Sequence, residues 1–197
     1  MTDMQVVKLD ERGYEPALMG LALSYFREGQ DFNEWFTWNR RKKAIKQLEN
    51  LAFKGGGHNK AIASIFTWWL VTAPRGWWQE MDTYTVGGVT KNSASTMHTL
   101  SKELVTKEHF ASGTSQVIID NLNELISSGA DITTLKMNLP ESYLQTRELC
   151  INYMSLQNII KQRTGHRLKM WDMFINRILT QVNHPKLLRQ EIEECKI

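Results

Sequence analysis

Apolar residues recur along this chain at two different periods, and the period decides which element each stretch predicts. Behind Pro16, a residue suited to a first helical turn, Leu18, Leu21, Ala22 and Tyr25 return at helical spacing and predict an opening helix. Lys42 to Phe53 carries Ile45, Leu48 and Leu51 between charges, an amphipathic helix that Gly55-Gly56-Gly57 ends. Ser115 to Ser128, with Val117, Ile118, Leu122, Leu125 and Ile126, predicts another, closed by Gly129. By length and period Tyr143 to Arg163 reads as one helix, Leu168 to Val182 as a last one stopped by His184-Pro185, and Ser93 to Leu104 as a helix capped by Asn92.

The other period is shorter. Gln5 to Leu9 predicts a strand broken by the turn chemistry of Asp10 to Gly13, and the β-branched and aromatic run from Ile62 to Val71 predicts a buried strand. Pro74 ends that strand and starts a helix through Glu80, while Thr85 to Asn92, with Gly87-Gly88, reads as a loop. Asp31 to Asn39 carries Phe32, Trp35, Phe36 and Trp38, too aromatic for a bare linker, and should pack onto the body. Leu187 to Ile197 is a charged, weakly anchored tail. The sum is an α+β fold, predominantly helical with a small sheet, in one domain over 1–197.

Composition narrows the function classes. A formal net charge of +3 is too small to demand nucleic acid, and the one dense basic run, Arg40 to Lys43 with Lys46, is either a solvated helix start or a phosphate patch. Cys150 and Cys195 form no C-x-x-C pair and sit in helical patterns, which suits free thiols of the cytoplasm. No window approaches the ~20 apolar residues of a membrane helix, and Met1 to Met4 do not open a secretory signal. The five histidines make no H-x-x-x-H pair, so no metal is expected, and the nucleophile elbow, Walker loop and dinucleotide fingerprint are all missing.

The stretch from Gly57 to His98 fits neither period. It threads His58, Arg75, Gln79, Glu80, Asp82, Tyr84, Asn92, Ser93, Ser95 and His98 between apolar residues, groups able to position a base, a sugar or a phosphate. Arg75 leads them, since a guanidinium presents a planar fork to a phosphate or carboxylate. Trp68, Trp69, Trp77 and Trp78 either stack on a heterocycle or fill the core. The three glycines either cap a helix or let backbone approach a phosphate. Asn152 and Arg163 lie about three turns apart on a helix and share a side.

From Gly57 to Pro74 the chain resembles the flavin-dependent thymidylate synthases without a gap, with Gly57-His58 and Ala73-Pro74 matching at the ends and Val71 within. Asn152, Asn158 and Arg163 stand at the spacing of a second family block behind Leu139-Pro140, and Leu23-Ser24-Tyr25 is similar to an early family element. The resemblance implies an α+β fold, a homotetramer with sites shared between subunits, FAD as cofactor and a deoxyuridylate-type nucleotide. It places Ser24, His58, Asn152 and Asn158 on the flavin side and Ser95 and Arg163 toward the nucleotide. The chain also departs from the pattern: Thr83-Tyr84-Thr85 replaces phosphate-holding arginines, Met97 and Met154 replace two more, and Ser64 replaces a histidine. Each lost charged hydrogen bond to a phosphate costs about 1.5–3 kcal/mol, so the expected protein is a divergent member with a pocket rebuilt around Arg75, Asp82, Tyr84 and the tryptophans.

The Ala-Pro-Arg-x-Trp-Trp and Asn-Ser-x-Ser-Thr-Met-His patterns are similar to chains of bacteriophage genomes. Two functions follow: modification of a pyrimidine deoxynucleotide base, or an oligomeric pocket that sequesters a nucleotide or defence signal without turnover. Nucleic-acid binding through Arg40 to Lys46 ranks behind both.

Overall fold

A computed structural model describes residues 3–85 and 89–190. Its sheet has four antiparallel strands in the order β1 (Gln5–Arg12), β2 (Phe66–Pro74), β4 (Leu144–Asn152) and β3 (Thr90–Ser93). Along β2, Thr67, Trp69, Val71 and Ala73 are buried while Phe66, Trp68, Leu70 and Thr72 are half-buried or exposed, the alternation of a sheet with one packed face. Val6, Trp69, Val71, Leu149 and Ile151 enter the main core with residues of the helices α1 (Tyr14–Ala22), α3 (Trp38–Leu51), α8 (Tyr153–Arg163) and α9 (Met170–Gln181). On the opposite face Val7, Leu9 and Leu70 are exposed, Val7 lying directly across from Leu70.

Further helices complete the fold: α2 (Phe32–Trp35), α4 (Arg75–Met81), α5 (Thr96–Thr99), α6 (Gln116–Ser127) and α7 (Ile132–Met137). Around α6 and α7 a second, smaller cluster buries Leu100, Val105, Phe110, Ile119, Leu122, Leu135 and Leu139. Trp35 of α2 is buried against the main core, as its aromatic stretch predicts.

Several sequence expectations need correction. Tyr143 to Arg163 is not one helix: β4 pairs with β2 from Phe66↔Asn152 to Pro74↔Leu144, and only then does α8 begin. Pairing with a central strand overrides the local helical period there. Cys150 therefore stands in a sheet, while Cys195 lies outside the described residues. Ser93 to Leu104 is the end of β3 followed by a four-residue helix, with Leu100 drawn into the smaller cluster. The first strand runs on through Arg12, its register shifting between Lys8 and Asp10, and Lys60–Ser64 is a 3-10 turn ahead of β2. Finally, Leu187 and Leu188 are buried, so the expected tail begins inside the core, and its residues 191–197 lie outside those described, as do 86–88 of the expected loop.

Glu11 ties the two ends of the chain together. Its carboxylate accepts from Tyr153 Oη at 2.7 Å, the Asn183 amide at 2.9 Å and Lys8 Nζ at 3.2 Å. Burial, followed by the Glu11 hydrogen bond, pushes the Tyr153 phenol far above its usual range.

Gly13 connects β1 to α1 at φ 99°, where an added Cβ would lie 2.0 Å from the Ser64 carbonyl oxygen. Gly13→Ala is therefore expected to cost more than the ~1–2 kcal/mol of left-handed strain alone. Gly129→Ala, at φ 73° with open space around it, should stay near that strain figure. Urea unfolding of the two variants checks the order.

Candidate functional site

The candidate site forms where α4, the segment behind it and α8 meet. Pro74 ends β2 and Arg75 starts α4, whose Trp77, Trp78 and Met81 are buried. That leaves Glu80 at the edge of the packed face, toward α8 and α9. Its Oε2 accepts from Trp171 Nε1 at 2.7 Å and from Arg163 Nη1 at 2.8 Å. Arg163 Nε donates to Tyr84 Oη at 2.9 Å, and Tyr84 in turn donates to Gln162 Oε1 at 2.9 Å. The Arg163 guanidinium lies 4.7 Å from the Trp171 ring and 5.5 Å from that of Tyr84, with His166 Nε2 3.0 Å from its Nη1. A carboxylate, a phenol and two ring faces thus hold the Arg163 charge.

A second polar group lies on the sheet side of Asp82. Asp82 accepts from Arg147 at 3.0 Å and faces Lys91 Nζ at 3.3 Å, so one half-exposed carboxylate serves two cations. The Arg147 guanidinium covers the Trp78 ring at 4.5 Å, and Lys91 also donates to the Tyr84 carbonyl at 3.2 Å. Asn92 donates to Glu148 across the β3–β4 ladder at 2.9 Å. These bonds fix the chain around Tyr84 from both sides.

Two grooves open here. The smaller, about 290 Å³, is lined by Thr83, Tyr84, Thr85, Ser155, Asn158 and Gln162. The larger, about 660 Å³, runs past Gly55, Asn59, Gln157 and Asn158 to Lys161 and Arg189. Asn158 lines both.

The predicted site residues part company in this geometry. Tyr84 and Asn158 line the smaller groove, and Arg163, Asp82 and Asn92 belong to the networks beside it. Ser93 is exposed on β3 opposite Arg147, and Ser95 is half-buried ahead of α5 with no side-chain cap bond. Arg75 is turned the other way, donating to the Leu139 carbonyl at 2.8 Å, and Gln79 follows it to Glu141 at 2.9 Å. Trp77 and Trp78, proposed to stack on a ligand, are fully buried, their rings 4.9 Å apart in the core, because Arg147, Trp171 and Phe174 take the space around them. The core alternative is the one observed.

Of the flavin-side residues, Ser24 donates to the Leu21 carbonyl at 3.3 Å, and Asn152 is buried and caps α8 by accepting from the Ser155 amide at 2.9 Å. His58 is exposed on the turn between groove residues Gly55 and Asn59. Gly56 and Gly57 take φ 69° and 81°, a left-handed turn, but α3 already ends at Leu51 with Ala52 as its C-cap, so the expectation that the glycines cap that helix is not met. Sequence reasoning missed Trp171, Gln162, Lys161, Arg147 and Lys91. For Gln162 and Lys161 a signal existed, since both share the last turn of α8 with Arg163.

No protein-family model matches the sequence, and no curated protein matches it. Among solved structures, the flavin-dependent thymidylate synthase ThyX of Helicobacter pylori, complexed with FAD and dUMP, aligns at a TM-score of 0.79 with 17% identity, over 94% of this chain and 98% of that one. A second structure of the same enzyme with FAD and dUMP gives 0.74 at 16% identity. PolB of Streptomyces cacaoi, a UMP/dUMP methylase bound with 5-Br dUMP, gives 0.66 at 15% identity over 91% and 89% of the two chains. The α+β, mostly helical fold with a small sheet is therefore that of the flavin-dependent thymidylate synthases.

Because Glu80 Oε2 serves both Arg163 and Trp171, Glu80→Ala should lower the unfolding free energy by ~1–2 kcal/mol, the charged hydrogen bonds discounted for partial exposure. A double-mutant cycle with Arg163→Met should show non-additivity. Strict additivity would mean that the pair is not coupled.

Proposed function

We propose that this protein binds a pyrimidine deoxynucleotide in the paired grooves around Asn158 and acts on its base. One observation carries the reading: a groove of hydroxyls and amides lies where α4 meets α8, in a fold shared with enzymes whose structures hold dUMP or its brominated analogue. A side-chain amide offers a donor and an acceptor together, the complement of a pyrimidine edge, and both Asn158 and Gln162 face the smaller groove. Tyr84, held from behind by Arg163, supplies a flat wall. Lys161 and Arg189 in the larger groove supply the positive charge for a phosphate.

Gln162 has its oxygen occupied by Tyr84 and keeps its NH2 for a base carbonyl, while Asn158 stands between the base and phosphate ends of the ligand. Arg163 acts as a positioning residue, with its Nε donating to Tyr84 and its Nη1 to Glu80.

FAD would supply hydride chemistry when bound, but the residues assigned to it do not gather in one chain. Ser24 and Asn152 spend their side chains on local backbone, His58 is exposed, and only Asn158 lines a groove. Thr83, Tyr84 and Thr85 stand where the resemblance puts phosphate-holding arginines. That disagreement favours a second reading, a pocket that sequesters a nucleotide or signalling nucleotide without turnover, as a phage device in the cytoplasm of its host.

A homo-oligomer, with a tetramer as the proposed form, fits either reading, because the exposed apolar face of Val7, Leu9 and Leu70 is continuous across β1 and β2. Among the described residues no helix is long and apolar enough to cross a membrane.

Three measurements test these statements. Denaturing the purified protein and identifying what it releases separates a flavin enzyme (flavin found) from a sequestering protein (nucleotide alone). In calorimetric titration with dUMP and dCMP, Asn158→Ala and Lys161→Ala should each weaken binding by about tenfold, the loss of one good hydrogen bond or charge contact; binding of neither nucleotide to the wild type would sink the proposal. Leu70→Lys should shift the sedimenting species toward monomer, and an unchanged oligomer would clear that face of the role.

A further inference from the structure

A slot between α1 and α3, apart from the grooves around Asn158, has no role in the reading above. It encloses about 250 Å³ between Tyr25, Trp35, Arg40 and Lys43, over a floor of Ala22 and Ala44. The floor exists because both helices place alanines, buried and short, where they face the slot. Its wall is rigid: the Trp35 ring packs against Phe26 at 5.2 Å and Phe32 at 5.8 Å, and Phe32 stacks on Phe36 at 5.6 Å. Tyr25 presents an exposed ring beside it.

The charge is one-sided. Arg40 and Lys43 are three apart on α3 and so share a helix face, and the Arg40 guanidinium lies 4.3 Å from the centre of the Trp35 ring. A guanidinium stacked on a ring keeps its N–H edge for an anion. Arg41, the neighbouring cation, is paired with Glu15; among the described residues Arg40 and Lys43 have no carboxylate partner. A volume below the ~300 Å³ at which drug-sized pockets begin restricts the slot to one or two rings.

We propose that this slot binds a small planar aromatic anion, a one- or two-ring acid whose ring lies against the exposed Tyr25 and whose carboxylate or phosphate faces Lys43 and Arg40, the latter backed by the Trp35 ring. The site is independent of the nucleotide proposal. The Tyr25 ring selects the ring, and the two cations, which have no carboxylate partner among the described residues, select the charge.

Calorimetric titration of the full-length chain with benzoate, indole-3-acetate and phenyl phosphate tests it, with acetate, inorganic phosphate and benzyl alcohol as controls. At least one aromatic acid should bind with a dissociation constant of about 1 mM or tighter, as suits a ligand of this size. The ring-free anions and the uncharged alcohol should bind at least about tenfold more weakly. The benzoate and phenyl phosphate arms decide between carboxylate and phosphate. An Arg40→Ala, Lys43→Ala double variant, both side chains being exposed, should keep its melting temperature and lose at least about tenfold in affinity; Lys43→Gln gives a milder second variant. The proposal is overturned if no aromatic acid binds, if acetate binds equally well, if affinity survives the double variant, or if it is lost in Asn158→Ala instead.

Discussion

The carboxylate of Glu80 is the point on which this site depends. It stands at the end of a short helix fixed by three buried side chains, and its Oε2 atom receives both the Trp171 indole and the Arg163 guanidinium. One oxygen thereby binds α4, α8 and α9 together at the edge of the core. From there the order passes outward: Arg163 holds Tyr84, Tyr84 holds Gln162, and the smaller groove takes its shape from those two. Neutralising a largely covered arginine in this way also avoids the cost of an unpaired charge next to tryptophan rings.

The division of labour between the two faces of the sheet follows from burial. Trp69, Val71, Leu149 and Ile151 are fully buried beneath the helices, so groups that recognise a ligand come from strand ends, helix ends and the segments between them. That is where Asp82, Tyr84, Asn158 and Arg163 are found. Trp77 shows the limit of core order: its indole N–H is buried without a hydrogen-bond acceptor, and the Trp171 and Phe174 rings, 4.9 and 5.1 Å away, are its surroundings. A ring face is a weak acceptor for such a group.

Much of the fold was legible because α6, α9 and α3 each carry a self-contained apolar stripe, and Gly129 marks an end that needs no tertiary information. β4 was not legible, since Leu144–Asn152 runs without a break into α8 and only its pairing with β2 declares it a strand. The site divides in the same way. Asn158 and Arg163 were reached from motif spacing, and Tyr84 from the polar stretch that departs from the motif. Arg147 and Trp171 were not, because the groups that give them meaning, Asp82 and Glu80, stand 65 and 91 residues away. Arg75 is directed elsewhere for a related reason: a fork suited to phosphate is equally suited to a peptide carbonyl, and that of Leu139 lies 2.8 Å away.

The strand order has a consequence for how the chain reaches this structure. No two paired strands are joined by a tight turn: residues 13–65 separate β1 from β2, 75–143 separate β2 from β4, and 94–143 separate β3 from β4. Every ladder therefore closes a long loop, and β2, one of the two central strands, waits on β4 for one of its partners. During synthesis the helices α1 and α3 are complete long before that partner leaves the ribosome. Until it does, Phe66 to Pro74 stands with an open edge and an apolar surface, the state in which such a strand is most exposed to pairing with the wrong chain.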